Sequence, residues 1–204
     1  MLSRPEALEL IDAAFAAQPL VLTLGGTIRE MLAVVGRKPN HLYSLDAMGQ
    51  PLAIGLGLAL GMEGRARGER VVVVEGDGSL LMGFSALSTV GHLRPRNLVA
   101  VVLDNGVYLA TGGQPTAAAS VNLVGVARAC GWADARVVAS EVEAVREALQ
   151  WASATDGPIL LRVPVGTEQP TTDFFLEDPV VLAREFGDWL QNTGAGDTKR
   201  PAAR

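Results

Sequence analysis

Val71-Val72-Val73-Val74-Glu75-Gly76-Asp77-Gly78-Ser79 is the stretch on which the fold turns. Its β-branched opening reads as a buried central strand, and Gly-Asp-Gly ends the strand pattern at once. A helix is predicted from about Leu80 to His92, stopped by Arg94-Pro95-Arg96. A second buried strand, Asn97 to Leu103, closes on Asp104-Asn105-Gly106. Successive strands joined by a helix run parallel, so their C-terminal ends share one edge of the sheet. Asp77 and Asn105, with 27 residues of chain between them, should therefore meet in one crevice. Open α/β sheets bind their ligands at such a crevice.

The residue types there suggest what is bound. Asp77 offers a carboxylate oxygen and Asn105 an amide oxygen, both hard ligands suited to Mg²⁺ or Ca²⁺. Gly76 and Gly78 allow close backbone approach, and Gly106 permits a tight turn. Ser79 opens a helix whose free N–H groups favour a phosphate. Together these features suit a metal bridged to a phosphorylated cofactor. The alternative is two ordinary strand-to-helix turns, since Gly-Asp-Gly is a common turn sequence.

Outward from this core, 204 residues, 49% of them hydrophobic and 19% charged, suffice for one α/β domain and exclude general disorder. A net charge of −5 without a basic cluster argues against a nucleic-acid partner. One cysteine, Cys130, read as a buried structural thiol, fits a reducing cytoplasm. Glu6 and Glu9 interrupt any signal peptide, and the longest apolar run, Pro51 to Met62, is too short and glycine-rich to span a membrane. Pro5 to Gln18 reads as an amphipathic helix. Val21 to Leu24 reads as a strand entering Gly25-Gly26-Thr27 and a helix to about Val35, a junction that suits an anion or a plain turn. His41 to Leu45 is the next strand, leading through Asp46-Ala47-Met48-Gly49-Gln50 to Pro51, a good first-turn residue. The helix from Leu52 to Gly61 is apolar all round and is expected to be buried on every side, with Gly57 and Gly61 allowing close packing.

Tyr108 to Ser120 reads as a loop over the site, either a lid or a surface loop. A helix from Asn122 to Gly131 and a strand from Ala135 to Val138 follow. Ser140 and Glu143 form the pattern of a capping box for a helix to about Ser153. Pro158 to Val163 is the last strand, and one more helix is expected from Asp178 to Gln191. Six strands alternating with helices predict a doubly wound, mainly parallel six-stranded α/β sheet with helices on both faces. It should occupy a single domain over residues 1–190, followed by a disordered tail over 191–204.

Gly76-Asp77-Gly78-Ser79 with Asp104-Asn105 resembles the cofactor signature of the thiamine diphosphate enzymes. Those enzymes usually carry Asn-Asn where this chain has Asp104-Asn105, so the departure spares the second position, which ligates the metal. Gly26-Thr27 with Arg29-Glu30, Ala47-Met48-Gly49 and Gly112-Gly113-Gln114-Pro115-Thr116 extend the likeness. They make the chain similar to the sulfopyruvate decarboxylase β subunits and the C-terminal halves of phosphonopyruvate decarboxylases. The resemblance covers roughly residues 20–165 and implies thiamine diphosphate and Mg²⁺. It implies that Asp77, Asn105 and the Val107 carbonyl hold the metal, and that Gly25, Gly26, Thr27, Gly76, Gly78 and Ser79 line the diphosphate site. Met48 would prop the cofactor in its bent form, with the backbone of Asp46 and Met48 on the aminopyrimidine. Met48 also reads as an ordinary core residue.

The resemblance implies as well that the glutamate activating the pyrimidine lies on a separate pyrimidine-binding domain. This chain offers no catalytic residue of its own: His41 and His92 are its only histidines, neither placed as a general base. The implied function is the diphosphate-binding subunit of a heteromeric 2-oxo acid decarboxylase acting on a sulfopyruvate- or phosphonopyruvate-like anion with a pyrimidine-binding α subunit. An acetolactate-synthase-like carboligase subunit and a non-catalytic cofactor-binding or regulatory subunit stand beside it.

Overall fold

The four consecutive valines of β3 (Val71–Gly76) are each fully buried and divide between two faces: Val72 and Val74 enter one core cluster, Val71 and Val73 another. This alternation, with apolar cover on both sides, is what a central parallel strand requires. The computed structural model describes residues 1–64 and 69–193. Around β3 stand β1 (Leu20–Thr23), β2 (His41–Ser44), β4 (Leu98–Asp104), β7 (Asp134–Val137) and β8 (Ile159–Pro164). They form one six-stranded sheet in the order β2-β1-β3-β4-β8-β7, parallel throughout.

Buried side chains of α1 (Arg4–Ala14), α2 (Gly26–Val35) and α7 (Val142–Ala154) cover the first face, joined by Leu182 of α8 (Pro179–Thr193). The second face carries α3 (Pro51–Gly61), α4 (Asp77–Met82), α5 (Ala86–Leu93) and α6 (Leu123–Cys130). The chain thus leaves β1 toward the first face and β3 toward the second. Neighbouring strands whose connections diverge leave a crevice beyond their C-terminal ends, and β1 and β3 are neighbours. The doubly wound parallel sheet is as expected.

Several local expectations change. The helix predicted from Leu80 to His92 is two helices, broken at Gly83 to Ser85. There Gly83 lies against the Gly49 carbonyl so closely that a β-carbon would sit 1.9 Å from its oxygen. α3 is not buried all round: Leu52, Gly55, Leu56 and Ala59 face the sheet, whereas Ala53, Gly57, Leu60 and Gly61 are exposed. The close approach belongs to Gly55 against Val73, and a β-carbon on Gly57 or Gly61 would meet nothing within 4 Å. No capping box forms at Ser140 and Glu143. The cap of α7 is Glu141 without a side-chain bond, and Ser140 Oγ accepts instead from the Leu2 N–H at 2.8 Å. The reciprocal box occurs at Ser3 and Glu6, opening α1. Cys130 is half-buried rather than buried. Tyr108 to Ser120 is ordered: β5 (Val107–Tyr108) pairs antiparallel with β6 (Gln114–Pro115), followed by a 3-10 turn over Ala117–Ala119. α8 reaches Thr193, three residues into the predicted tail; 194–204 lie outside the described residues.

Candidate functional site

Three strand ends build the crevice. After β1 the chain must turn sharply to reach the first face, and Gly25 does so at φ +81, a left-handed conformation natural to glycine, as the cap of α2. Thr27 follows, buried. After β3, Gly76 caps α4 in extended conformation and Asp77 is the first residue of that short helix, three residues before the predicted start at Leu80. Gly78 leaves room for the Tyr108 ring, since a β-carbon there would lie 2.3 Å from it. After β4, Asn105 Oδ1 accepts from the Val107 N–H at 3.1 Å, closing a turn through Gly106 at φ +71.

The β5–β6 hairpin settles where the Val107 carbonyl points. The Thr116 N–H donates to the Gly106 carbonyl at 2.8 Å, and Val107 lies opposite Pro115. Hydrogen-bonded and non-hydrogen-bonded pairs alternate along an antiparallel ladder, so Val107–Pro115 is a non-hydrogen-bonded pair. The carbonyl of Val107 therefore turns away from β6.

Asp77 is 2% exposed, and burial pushes its carboxyl above the usual range. The Thr116 hydroxyl donates to its Oδ2, which acts in the opposite sense, and the nearby Asp104 raises it further. Asp104, the position that departs from the family pattern, is held by Arg162 Nε on Oδ2 at 2.5 Å and by the Gly106 N–H on Oδ1 at 3.0 Å. Glu75 faces the second helical layer. Its Oε1 accepts from the Leu52 N–H at 3.1 Å, Oε2 has no partner, and burial raises the carboxyl to about 7. It ties the start of α3 to the sheet. Ser79 Oγ accepts from the Gly49 N–H at 3.1 Å and from Thr23 Oγ1 at 2.9 Å, binding the Met48 turn, β1 and α4 together.

One cavity is lined by Gly25, Gly26, Thr27, Met48, Gly76, Asp77, Gly78, Ser79, Asn105 and Val107. Asp46 is the exception among the residues predicted for the site. It sits at φ +53 in an adjoining cavity with Arg29 and Phe174, and Leu24, Gly25 and Ala110 line both. Sequence reasoning missed Thr116, Tyr108 and Arg4. Thr116 and Tyr108 were within reach, one in a stretch carrying the family resemblance and the other in the loop assigned over the site. Nothing in the sequence pattern marked Arg4. Of the histidines, His41 is buried with Nε2 at 3.1 Å from Asp12 Oδ1, far from the crevice on β2, and His92 is exposed.

The donor chemistry fits Mg²⁺: one carboxylate, one amide oxygen and one outward-turned carbonyl are all oxygen ligands, leaving positions for phosphate and water. Among the described residues no group of three or more His, Cys, Asp or Glu could hold a metal ion, so a cation here would depend on amide, carbonyl and phosphate oxygens beside the one carboxylate. The glycine-lined cavity measures about 110 Å³ and adjoins the one beside Asp46, of about 530 Å³. Among the described residues no helix is long and apolar enough to cross a membrane.

The similarities to known proteins agree with this geometry. Phosphonopyruvate decarboxylase of Streptomyces viridochromogenes is 36% identical over 204 residues, 95% of this chain and 48% of that protein. The chain thus spans about half the length of that relative. Sulfopyruvate decarboxylase subunit beta of Methanothermobacter thermautotrophicus is 37% identical over 87% of this chain and 91% of its own length. Benzoylformate decarboxylase from Polynucleobacter necessarius superposes with a TM-score of 0.67 at 19% identity over 80% of this chain and 33% of that one, a likeness of fold alone. Residues 26–163 match the C-terminal TPP-binding domain of thiamine pyrophosphate enzymes, and the chain belongs to that family.

Proposed function

We propose that this chain is the diphosphate- and Mg²⁺-binding subunit of a thiamine diphosphate-dependent 2-oxo acid decarboxylase. Its partner is a pyrimidine-domain subunit, and its substrate is a sulfopyruvate- or phosphonopyruvate-like anion. The observation that carries this reading is the convergence of the Asp77 carboxylate, the Asn105 amide and the Val107 turn on one cavity. The near full-length correspondence with a sulfopyruvate decarboxylase β subunit supports the two-subunit arrangement.

Bound thiamine diphosphate supplies the electron sink that lets a 2-oxo acid lose its carboxylate. The chain's own residues bind and orient it. Asp77, Asn105 and the Val107 carbonyl hold Mg²⁺, and Thr116 fixes the rotamer of Asp77 through its hydroxyl. Gly25, Gly26 and Thr27 present backbone to the diphosphate, and Met48 gives the cavity an apolar wall. The exposed face of α3, with Ala53, Gly57 and Leu60, continues directly from the Met48 turn and is the surface the partner covers as it closes the site and excludes water.

The test is to assay CO₂ release from sulfopyruvate and phosphonopyruvate with Mg²⁺ and thiamine diphosphate, using the chain alone and mixed with a pyrimidine-domain subunit. Activity is expected only from the mixture. Robust turnover by the isolated chain, free of partner by mass spectrometry, refutes the two-subunit reading.

A further inference from the structure

Arg4 lies outside the residues matched to the family, on the first turn of α1, yet its side chain lines the candidate diphosphate cavity. Both ends of the folded domain place it there. The Leu2 N–H donates to Ser140 Oγ at 2.8 Å, and the Gly166 N–H donates to the Leu2 carbonyl at 3.0 Å, so the segment preceding α1 is stitched to the sheet edge. The guanidinium is then gripped by Glu30 of α2. Arg4 Nε donates to Glu30 Oε2 at 2.7 Å and Nη2 donates to Oε1. Only 11% of the Arg4 side chain and 1% of the Glu30 side chain are exposed.

A two-pronged pairing of this kind uses two of the five N–H donors of a guanidinium. Among the described residues no other hydrogen bond takes the rest, and they lie over Gly26. A β-carbon at Gly26 would sit 2.3 Å from Nη2 and 3.3 Å from Nη1, so the absence of a side chain there is what admits the cation. A buried ion pair is a weak device for stability alone, because desolvation offsets most of its attraction. Here the pairing fixes the fork while unused donors stay directed at a glycine-lined cavity. Arginine is the side chain whose geometry best suits phosphate oxygens.

We propose that Arg4 is a cofactor-binding residue that donates to the diphosphate, and that Glu30 is the positioning residue that aims it. This rests on the thiamine diphosphate reading above. Arg4 would then add to the preference for the diphosphate over shorter phosphate esters of thiamine.

The experiment is calorimetric titration of the enzyme assembled with its partner, stripped of cofactor and supplied with Mg²⁺, using thiamine diphosphate and thiamine monophosphate. The Arg4→Gln/Glu30→Gln double variant replaces the ion pair by a neutral amide pair, so no buried charge is stranded. We expect thiamine diphosphate affinity to fall by about 10- to 100-fold, as for the loss of a charge-assisted bond, with monophosphate affinity unchanged and the melting temperature near wild type. Arg4→Lys keeps the charge but loses the fork, and guards against misfolding of the double variant. It should narrow the ratio of the two affinities at least several-fold. Wild-type discrimination in a folded double variant, or in Arg4→Lys, overturns the contact and leaves the cofactor reading standing. Failure of the wild type to bind thiamine diphosphate with Mg²⁺ overturns both.

Discussion

Gly83→Ala should damage the site from a position that touches no ligand. Gly83 closes α4 at φ −98, a conformation that alanine adopts freely, so any effect must come from space rather than backbone strain. That space is occupied: the new β-carbon would lie 1.9 Å from the Gly49 carbonyl oxygen and 2.8 Å from its carbon, where real contacts stay beyond 3.0 Å. The obstruction is backbone on both sides, so the Asp46–Gln50 turn must retreat from α4 by about 1 Å, and overpacking of this kind costs about 1–3 kcal/mol. The same retreat stretches the bond from the Gly49 N–H to Ser79 Oγ, now 3.1 Å, worth about 0.5–1.5 kcal/mol. For a chain of this size the combined loss lowers the melting temperature by roughly 5–15 °C. Met48 precedes Gly49 and moves with it, and a misplacement of about 1 Å can reduce turnover on the order of 100-fold. The assay pairs differential scanning fluorimetry with thiamine diphosphate affinity and turnover of the assembled enzyme. Gly57→Ala is the control for melting of the isolated chain alone, because nothing lies within 4 Å of its β-carbon there, and it should stabilise that chain by about 0.5–1 kcal/mol. A Gly83→Ala protein that melts within about 2 °C of wild type and binds cofactor normally would show the Gly49–Gly83 approach to be incidental.

Asp77→Ala removes the one charged oxygen of the proposed metal site and should abolish Mg²⁺-dependent binding of thiamine diphosphate; unchanged affinity by calorimetry refutes the assignment. Met48 is half-buried, so Met48→Ala should cost less than the roughly 2–5 kcal/mol of a core truncation yet impair turnover of the folded enzyme. A melting shift with turnover intact would assign Met48 to packing alone. His41 supplies a pH signature. Burial lowers its pKa to about 4, and Nδ1 has no acceptor for the proton that charging would add. The unfolded chain binds that proton near the ordinary value of about 6.5, so the stability His41 contributes is intact above that pH and is lost as pH falls toward 4. The loss is on the order of 3 kcal/mol, and roughly 2 kcal/mol of it should appear between pH 6.5 and 5. Urea denaturation at pH 7.5 and 5 should show that difference in wild type and a smaller one in His41→Gln. Parallel pH dependence in the two proteins would refute it.

The sequence by itself determined the alternating order of strands and helices and the positions of the glycine breaks. Hydrophobic period and turn chemistry are short-range properties, written within a few residues of where they act. Parallel strands then follow from the helical crossovers, which is why Asp77 and Asn105 could be placed in one crevice across 27 residues of intervening chain. The family resemblance named most of the cavity wall, Asp46 excepted. Short-range patterns also misled in consistent ways. The Leu80-to-His92 periodicity runs through Gly83, but the helix is interrupted there, where the Gly49 backbone packs against it. Ser140 and Glu143 have capping-box spacing, yet the Ser140 hydroxyl is taken by Leu2, which is 138 residues away. Only the tertiary structure decided how distant segments meet. Thr116 reaches Asp77 because the β5–β6 hairpin folds back over the strand ends, and the register of that hairpin turns the Val107 carbonyl outward. Arg4 reaches the candidate diphosphate cavity because α1 packs beside α2, with Glu30 holding the fork over a glycine. Such contacts depend on strand order and helix packing, which no local pattern encodes.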